Sequence, residues 1–435
     1  MKAVIIGAGP AGLFAGYNLA GQCEVVIIDK GPPLKERIKN KTNILYGEGG
    51  AGLFSDGKLN FSPEIGTNLA EIISYSALPD LIDQVEKIFS TYNVKVKEID
   101  QDKARQLETL AVQNGMKYLP VRQAHVGSDH LPQVILSLTE DLKRKGINFL
   151  YKTEVKEIKD KSLFTADEKE IFFDKLLLAP GRSGARWLEK IVKDKGINYI
   201  YNPIDIGVRI EVPALIMEEI CQINWDPKVH IRTPTYDDFV RTFCVSPHGY
   251  VVKEEGENYC LVNGHSRKDF HSQNTNFAFL IKVHLTEPVE NTNLYGESIA
   301  LQATTIGGNK PILQRLGDLK MGRRSTWRRL ERSYITPTLT DVTPGDIAMA
   351  FPYRFVKDII EGLDILNQLI PGVADANTLL YAAEIKFHGL RVVTNEVLQT
   401  SHPNIYVAGD GAGLSRGIVG AAASGLLAAQ GILKN

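Results

Sequence analysis

The chain opens on a short, nearly continuous apolar run, KAVII, then a glycine-rich turn, an apolar stretch with helical spacing, and a second apolar run, EVVII. Runs this short and β-branched, bounded by glycine, predict buried parallel strands at Lys2–Ile6 and Glu24–Ile28, joined by a helix over residues 10–20. Residues 31–58 read as a glycine-rich connection. Helical periodicity returns over 69–93, 103–110 and 131–145, the last introduced by the polar turn Gly127, Ser128 and Asp129. Between 148 and 178 the pattern changes to alternation in short pieces split by charged turns. That predicts a small antiparallel meander leading back to a central strand, KLLLA. Short strands dominate 202–330, helical spacing covers 346–372, and from Tyr381 short apolar strands end in YVAGD and a helix of small residues.

A chain of 435 residues is too long for one compact core, so two or three domains are expected. Lysine and arginine total 50 against 51 acidic residues, a balance that supplies no global field to recruit nucleic acid or an anionic membrane. Four widely spaced cysteines with no CxxC suggest neither a disulfide framework nor a zinc knuckle, and a reducing cytoplasm is the expected location. The nine histidines show no HExxH or HxH spacing, so no metal is expected. The N-terminal apolar run superficially resembles a secretion signal, but Gly7, Gly9, Pro10 and Gly12 interrupt it and a second strand follows. No other apolar stretch is long enough to cross a bilayer, and a protein free in solution is expected.

The first turn carries chemistry. GAGPAG follows a predicted strand, opens a helix, and is followed by Asp29 and Lys30 after the next strand, the context a dinucleotide fingerprint requires. Gly7 permits the tight turn, Gly9 lets a pyrophosphate approach the backbone near Pro10 and Ala11, and Gly12 lets helix and strand pack closely. The helix N-terminus faces the phosphates, and Asp29 would accept a hydrogen bond from a ribose. The fingerprint alone does not separate NAD from FAD.

The other end of the chain does. NIYVAGDGAG runs an apolar strand into Gly409 and Asp410, and GLSRGIVGAAASGLLAAQ supplies a helix of small residues. The pair resembles the second FAD motif of glutathione-reductase-type and hydroxylase-type flavoproteins. That resemblance implies that Asp410 holds the ribityl chain and that the backbone of Gly417, Ile418 and Val419 points its N–H groups at the pyrimidine edge of the flavin, favouring negative charge on it. LLLAPGRSGARW, with Ala179 and Gly181, resembles the strand that crosses near the dinucleotide in the same proteins, with Pro180 where threonine is more usual. No second GxGxxG occurs, which argues against a disulfide reductase with its own NAD(P)H domain.

The stretches GEGGAGLFSDGKL (47–59), HVGSDHL (125–131), FCVSPHGYVV (243–252) and AEIKF (383–387) occur in order over most of the chain. Together they resemble the uncharacterised FAD-dependent dehydrogenases of the "NAD(FAD)-utilising dehydrogenase" type, which implies a fold and a non-covalent FAD but no substrate. Ser246 stands where many members have a second cysteine, and EIKFHGLR departs from the version in other branches. The expected architecture is α/β. It comprises a Rossmann-type, three-layer FAD domain with a mostly parallel sheet, built from 1–60, 120–195 and 380–435, a helical insertion at 61–119, and a mixed or antiparallel α+β substrate domain at 196–379.

Gly49, Gly50 and Gly52 would let the backbone pass against the cofactor, with Ser55, Asp56 and Lys58 able to reach it. Lys58 is the candidate beside the flavin edge, where a cation would stabilise reduced flavin; a solvated loop lysine is the alternative. For Asp56 the alternative is a turn cap. Glu384, in an apolar strand, is the candidate acid or base, with pairing to Lys386 or Arg391 as the alternative. His125 and His130 flank a polar turn and suit capping and packing as well as substrate contact. Cys244 reads as an inert strand cysteine, Arg416 as a ligand for an anion or a surface residue, and the basic stretch 320–333 as a solvated helix face or a guide for an anionic substrate. The function expected is an FAD-dependent oxidoreductase acting on a small molecule, with NADH or NADPH a candidate electron donor. Two alternatives are a single-component FAD aromatic hydroxylase and a non-redox FAD protein of a nucleic-acid-modification complex.

Overall fold

The computed structural model describes every residue except 41–44, 56, 257, 267–270, 287–290, 389 and 435. The chain forms two compact units, the first built from 1–97, 122–202 and 388–435, the second from 98–121 and 203–387.

The core of the first unit is a five-stranded parallel sheet in the order Ile405–Val407, Lys175–Leu178, Lys2–Ile6, Glu24–Ile28, Asn148–Leu150. Its central strand is apolar from Ala3 onward because both faces are covered there: Ala3, Val4 and Ile5 are wholly buried. The helix Pro10–Leu19 and the terminal helix Ile418–Lys434 pack on each other along their small residues. A Cβ on Gly425 would stand 2.0 Å from the Ala11 carbonyl oxygen, so the run GAAASGLLAAQG sets how closely the two axes approach. The meander is the antiparallel sheet Val155–Ile158, Ser162–Thr165, Glu170–Phe172, which returns the chain to Lys175–Leu178.

The second unit is an eight-stranded sheet in the order Thr343–Pro344, Ile312–Arg315, Leu379–Lys386, Ile204–Pro213, Asn274–Val283, Phe239–Ser246, Lys228–Arg232, Met116–Leu119. All its pairs are antiparallel except the first. Along Ile204–Pro213 the alternation is strict. Ile204, Ile206, Val208, Ile210 and Val212 form one fully buried apolar row, while Asp205, Gly207, Arg209 and Glu211 lie on the other face. The helices Ala214–Ile223, Thr292–Ile306 and Tyr353–Leu366 contribute Met217, Ile220, Ile299, Ala303, Phe355, Ile359 and Leu363 to the same core as that apolar row.

The units differ from the expected domains at residues 196–202, which belong to the first unit and not to the substrate domain, and in two further stretches. Residues 380–387, expected beside the flavin motif, belong to the second unit because Leu379–Lys386 is a central strand there, flanked by Ile204–Pro213 and Ile312–Arg315. The insertion expected at 61–119 is divided. Its first part, with the helix Ala77–Thr91, joins the first unit, while Gln101–Gln113 and the edge strand Met116–Leu119 join the second. The helix expected from 131 starts at Gly127, so Ser128 and Asp129 lie in its first turn instead of before it. No helix among the described residues is long and apolar enough to cross a membrane.

Asp358, on the helix Tyr353–Leu366, is fully buried; its Oδ1 accepts the Thr233 hydroxyl at 2.7 Å, and Oδ2 is buried without a partner. Burial pushes its carboxyl up to about 7, against the pull of the Thr233 hydroxyl, and nearby Asp238 adds to the rise. The folded state therefore holds at Asp358 a proton that the unfolded chain releases near pH ~4, and the contribution of this group to stability falls as pH rises from there through about 7. Asp358→Asn keeps the acceptor for Thr233 and removes this loss. Urea unfolding should show the variant gaining on the wild type steadily between pH ~4 and ~7 and by a constant margin above; a pH-independent difference would contradict the assignment.

Candidate cofactor site

The site of the first unit begins at the turn after the strand Lys2–Ile6. Gly7 has φ +113°, and a Cβ there would lie 2.0 Å from the Ala179 carbonyl oxygen; at Gly12 a Cβ would lie 1.9 Å from the Gly7 carbonyl oxygen. The two contacts explain why both positions are glycine: strand and helix could not approach otherwise. Gly7 N–H donates to Ile28 O at 2.7 Å, and Ala179 N–H to Ile6 O at 2.8 Å. The helix starts with Gly9 as N-cap, Pro10 in its first turn and no side-chain cap. Its first N–H groups are those that a helix leaves without an internal partner. Asp29 is nearly buried, with Oδ2 accepting the Ala8 N–H and Oδ1 the Gly31 N–H, both at 2.8 Å. It braces the turn, and the carboxylate retains lone pairs for a ribose.

Against this turn lies the loop Gly47 to Gly52. Gly49 N–H donates to Ala8 O at 2.8 Å, and a Cβ on Gly50 would come 3.1 Å from the Gly9 Cα. The loop is held from behind by Arg37, a fully buried arginine that the sequence reading did not single out. Its Nη1 donates to Glu48 O at 2.5 Å and to Gly50 O at 3.0 Å, and its Nη2 to Gly50 O at 3.1 Å. The guanidinium also sits over the Phe54 ring, 5.0 Å from its centroid. Burial lowers the Arg37 pKa to about 10, while Asp29 and Glu48 oppose the shift, so the group stays charged at neutral pH. Glu48 Oε2 in turn accepts the Leu34 N–H at 2.7 Å, anchoring the start of the helix Leu34–Asn40 that carries Arg37.

Two further turns leave the C-terminal ends of parallel strands. Gly181 follows Lys175–Leu178 and Gly409 follows Ile405–Val407; a Cβ on Gly411 would lie 2.4 Å from Gly181 O, and one on Gly409 3.1 Å from the Ala11 Cβ. Gly50, Gly181 and Gly409 share one backbone state, with φ/ψ of 65/−166°, 65/−173° and 80/−172°, and each introduces a single 3₁₀ turn. That region of backbone space is essentially open to glycine alone. Asp410 Oδ1 accepts the Ser415 hydroxyl at 2.7 Å and lies 3.4 Å from Gly417 N, with Arg182 Nε 3.8 Å from Oδ2. Burial pushes the Asp410 carboxyl above the ordinary carboxylate range, against the opposing pull of Arg182, Ser415 and the Gly417 N–H. Gly417, at φ +121°, precedes the terminal helix, whose Ile418 and Val419 are nearly buried; a Cβ on Gly52 would lie 2.8 Å from the Ile418 side chain.

The structure thus brings together Gly7, Gly9, Pro10, Ala11, Gly12, Asp29, Gly49, Gly50, Gly52, Ala179, Gly181, Gly409, Asp410, Gly417, Ile418 and Val419 within one unit. An extended anionic dinucleotide needs backbone that it can approach closely, N–H donors for its phosphates and a carboxylate at each end for hydroxyls. The two helix N-termini, the glycine-only turns, Asp29 and Asp410 fit those needs.

Other candidates stand outside this cluster or do different work. Lys30 places its ammonium 4.7 Å from the Tyr46 ring centroid. Ser55 turns inward, donating to Gly52 O at 2.7 Å, so it closes its own turn. Asp56 lies outside the described residues. Lys58 is half-buried on the strand Lys58–Phe61, directly across from His125 on Arg122–His125. His125 and His130 line a cleft of about 1140 Å³ with Tyr17, Tyr92, Lys143 and Arg144, and no lining residue belongs to the glycine turns. Glu384 is in the second unit, wholly buried, 2.9 Å from Lys386 Nζ and 3.3 Å from Arg209 Nη1. With two cations on one carboxylate it is placed for charge compensation, and Arg391 pairs with Glu71 instead. Cys244 occupies an irregularity of its strand at φ +48°, its carbonyl accepting from Arg209 Nη2 at 2.7 Å. Arg416 N–H donates to Gly66 O at 2.9 Å. The basic stretch 320–333 is no continuous helix face: it folds around buried Asp318, which takes Arg323 Nε at 2.8 Å, while Lys320 pairs with Asp364.

Residues 203–386 match the family described as "FAD-dependent protein, C-terminal domain-like". An uncharacterised protein of Clostridium beijerinckii is 27% identical over an alignment covering all of this chain and 81% of that protein. Among solved structures, the L-proline dehydrogenase from P. horikoshii aligns with TM-score 0.43 at 15% identity, covering 100% of this chain and 93% of that one. The 3-ketosteroid-Δ4-(5α)-dehydrogenase from Rhodococcus jostii RHA1 aligns with TM-score 0.46 at 11% identity, covering 100% and 97%. Residues 203–386 are thus similar to the C-terminal domain described for FAD-dependent proteins, in agreement with the FAD-dependent class expected from the sequence.

Proposed function

We propose that the protein is an FAD-dependent oxidoreductase that passes a hydride or electrons through a non-covalently held FAD to a small-molecule substrate. The observation that carries this reading is the convergence of three glycine-only turns and two helix N-termini on one backbone-lined cradle, with Asp29 and Asp410 at its two ends. FAD, when bound, supplies the redox chemistry. Gly9 and Gly50 leave room for the pyrophosphate beside the N–H groups that open the helix Pro10–Leu19. Asp29 holds the adenosine ribose. Asp410, oriented by Ser415, holds the ribityl chain, and the first N–H groups of Ile418–Lys434 favour negative charge at the pyrimidine edge of the flavin. Lys58, half-buried at the start of the strand Lys58–Phe61, remains the candidate for the flavin edge. Glu384 is not carried forward as acid or base, because Lys386 and Arg209 already compensate it.

Purified protein should release FAD in a 1:1 ratio, and NADH or NADPH should bleach the bound flavin under anaerobic conditions at the rate of a turnover-competent enzyme. A protein that takes up no FAD even on reconstitution would overturn the reading. Reduction followed by stable oxygenated flavin with an aromatic compound would move it to the hydroxylases.

Removing Arg37 should loosen the cradle from behind. Arg37→Met leaves the Glu48 and Gly50 carbonyls without their charged donor and is expected to cost ~2–4 kcal/mol in urea unfolding and to weaken FAD retention. Arg37→Lys should recover little of either, since one ammonium cannot reproduce the two-nitrogen grip on Gly50. Gly50→Ala, strained by ~1–3 kcal/mol at its backbone angles, should weaken FAD binding while leaving the fold intact. Wild-type FAD affinity in either Arg37→Met or Gly50→Ala would contradict the placement.

A further inference from the structure

A bound FAD would bring two adjacent phosphates to the first unit, and the cradle meets them mainly with oriented N–H groups. A helix N-terminus amounts to about half a positive charge, which leaves most of a pyrophosphate's charge unmatched. The turns add one full charge. Gly50 to Ser55, Gly181 to Ala185 and Gly409 to Gly413 contain a single cationic residue between them, Arg182, directly after the glycine-only Gly181. Of the cations nearby, Lys30 lies against the Tyr46 ring, and Arg37 spends its Nη donors on the Glu48 and Gly50 carbonyls behind the loop.

Arg182 is tethered at one edge and open at the other. Its Nε stands 3.8 Å from Asp410 Oδ2, too far for a hydrogen bond, and its side chain is 69% exposed. Nη1 and Nη2 make no hydrogen bond among the described residues. The two turns that carry the pair are fixed to each other, since a Cβ on Gly411 would lie 2.4 Å from Gly181 O, and Ser415 holds Asp410 from the other side. The Asp410 turn also abuts the start of the helix Pro10–Leu19, where a Cβ on Gly409 would lie 3.1 Å from the Ala11 Cβ. A guanidinium presents donors on two edges, so Nε can face a carboxylate while the Nη pair faces a second oxyanion.

We propose that Arg182 binds the flavin-side phosphate of FAD through its Nη edge while Asp410 steadies its Nε edge, so that one aspartate orients both the ribityl chain and the cation beside it. The proposal rests on the FAD reading of the cradle. Asp410 lies at the flavin end and Asp29 at the adenosine end, so the added charge belongs to the flavin half of the pyrophosphate. ADP carries the adenosine and both phosphates of FAD, whereas AMP lacks the flavin-side one. Comparing them separates a contact to that phosphate from any change at the adenosine end. The test is calorimetric titration of flavin-free, full-length protein with ADP, AMP and FAD, in the wild type, Arg182→Met and Arg182→Lys.

Arg182→Met should weaken ADP and FAD about ten-fold, the scale of one charge-assisted contact, and AMP by about two-fold or less. Arg182→Lys should show a smaller loss of the same kind, because an ammonium keeps the charge but cannot serve Asp410 and a phosphate from two edges. The urea midpoints of both variants should stay with the wild type, as expected for an exposed side chain. The inference is overturned if Arg182→Met binds ADP as the wild type does, or if AMP weakens as much as ADP, which would assign the loss to the adenosine end or to the fold. FAD uptake that is indifferent to Arg182→Met sinks this inference alone. A ten-fold loss in a protein whose bound flavin no donor reduces sinks the oxidoreductase reading alone, and a wild type that binds neither ADP nor FAD overturns both.

Discussion

A parallel strand that feeds a helix within three residues has room for a side chain at neither Gly7 nor Gly12, because their missing Cβ atoms would lie 2.0 and 1.9 Å from carbonyl oxygens. The organisation of the first unit follows from this close approach. The neighbouring strand must deliver Ala179 to Gly7, the loop at Gly49 must reach Ala8, and the terminal helix must come down on Ala11 through Gly425. Backbone so tightly apposed leaves its polar groups as the lining, so the turns present N–H donors and helix ends more than side chains. Arg37 is the exception that makes the rest possible: a buried cation whose donors are spent on the carbonyls of the opposing loop, leaving that loop's glycines free to face the turn.

The second unit solves a different problem with a similar device. Its central strand is apolar on one face and charged on the other, and both faces are buried, so each ionic group needs a partner. Arg209 supplies much of that compensation. It contacts Glu384, Asn276, the Cys244 carbonyl and the Ser246 hydroxyl, and a Cβ on Gly264 would fall 1.6 Å from its Nη2. The unusual backbone at Cys244 and the glycine at 264 thus share one cause, the space and the acceptors a buried guanidinium demands. In this setting Glu384 is the counter-charge shared by Arg209 and Lys386.

Period-2 and period-3.6 patterns made the strands Lys2–Ile6 and Glu24–Ile28 and the helix between them legible to within a residue or two, because glycine marks their ends. The glycine turns at both ends of the chain were legible for the same reason, since glycine and aspartate mark them at fixed offsets. Arg37 was not, since LKERIKN looks like any exposed helical turn and its burial depends on a loop ten residues later. Leu379–Lys386 was misplaced because proximity in sequence to the flavin motif outweighed its alternation with Ile204–Pro213, a pairing about 170 residues distant. The stretch 320–333 looked like a basic face because Asp318, the acid it wraps, lies just outside it.

The near-zero net charge of the chain hides a segregation that the structure exposes. In the first unit an anionic cofactor would meet partial charges on backbone, with few cationic side chains at the turns, and partial charges of fixed orientation cost nothing to reorganise as electrons arrive. In the second unit the sheet face around His230 carries full charges, each costly to desolvate, with Arg241 paired to Asp205 and Lys228 to Asp226. A protein needing only a folded sheet would do better with apolar side chains there. Keeping Arg241 Nε buried without a partner adds to that cost, because a donor that loses its hydration and makes no hydrogen bond gains nothing in exchange.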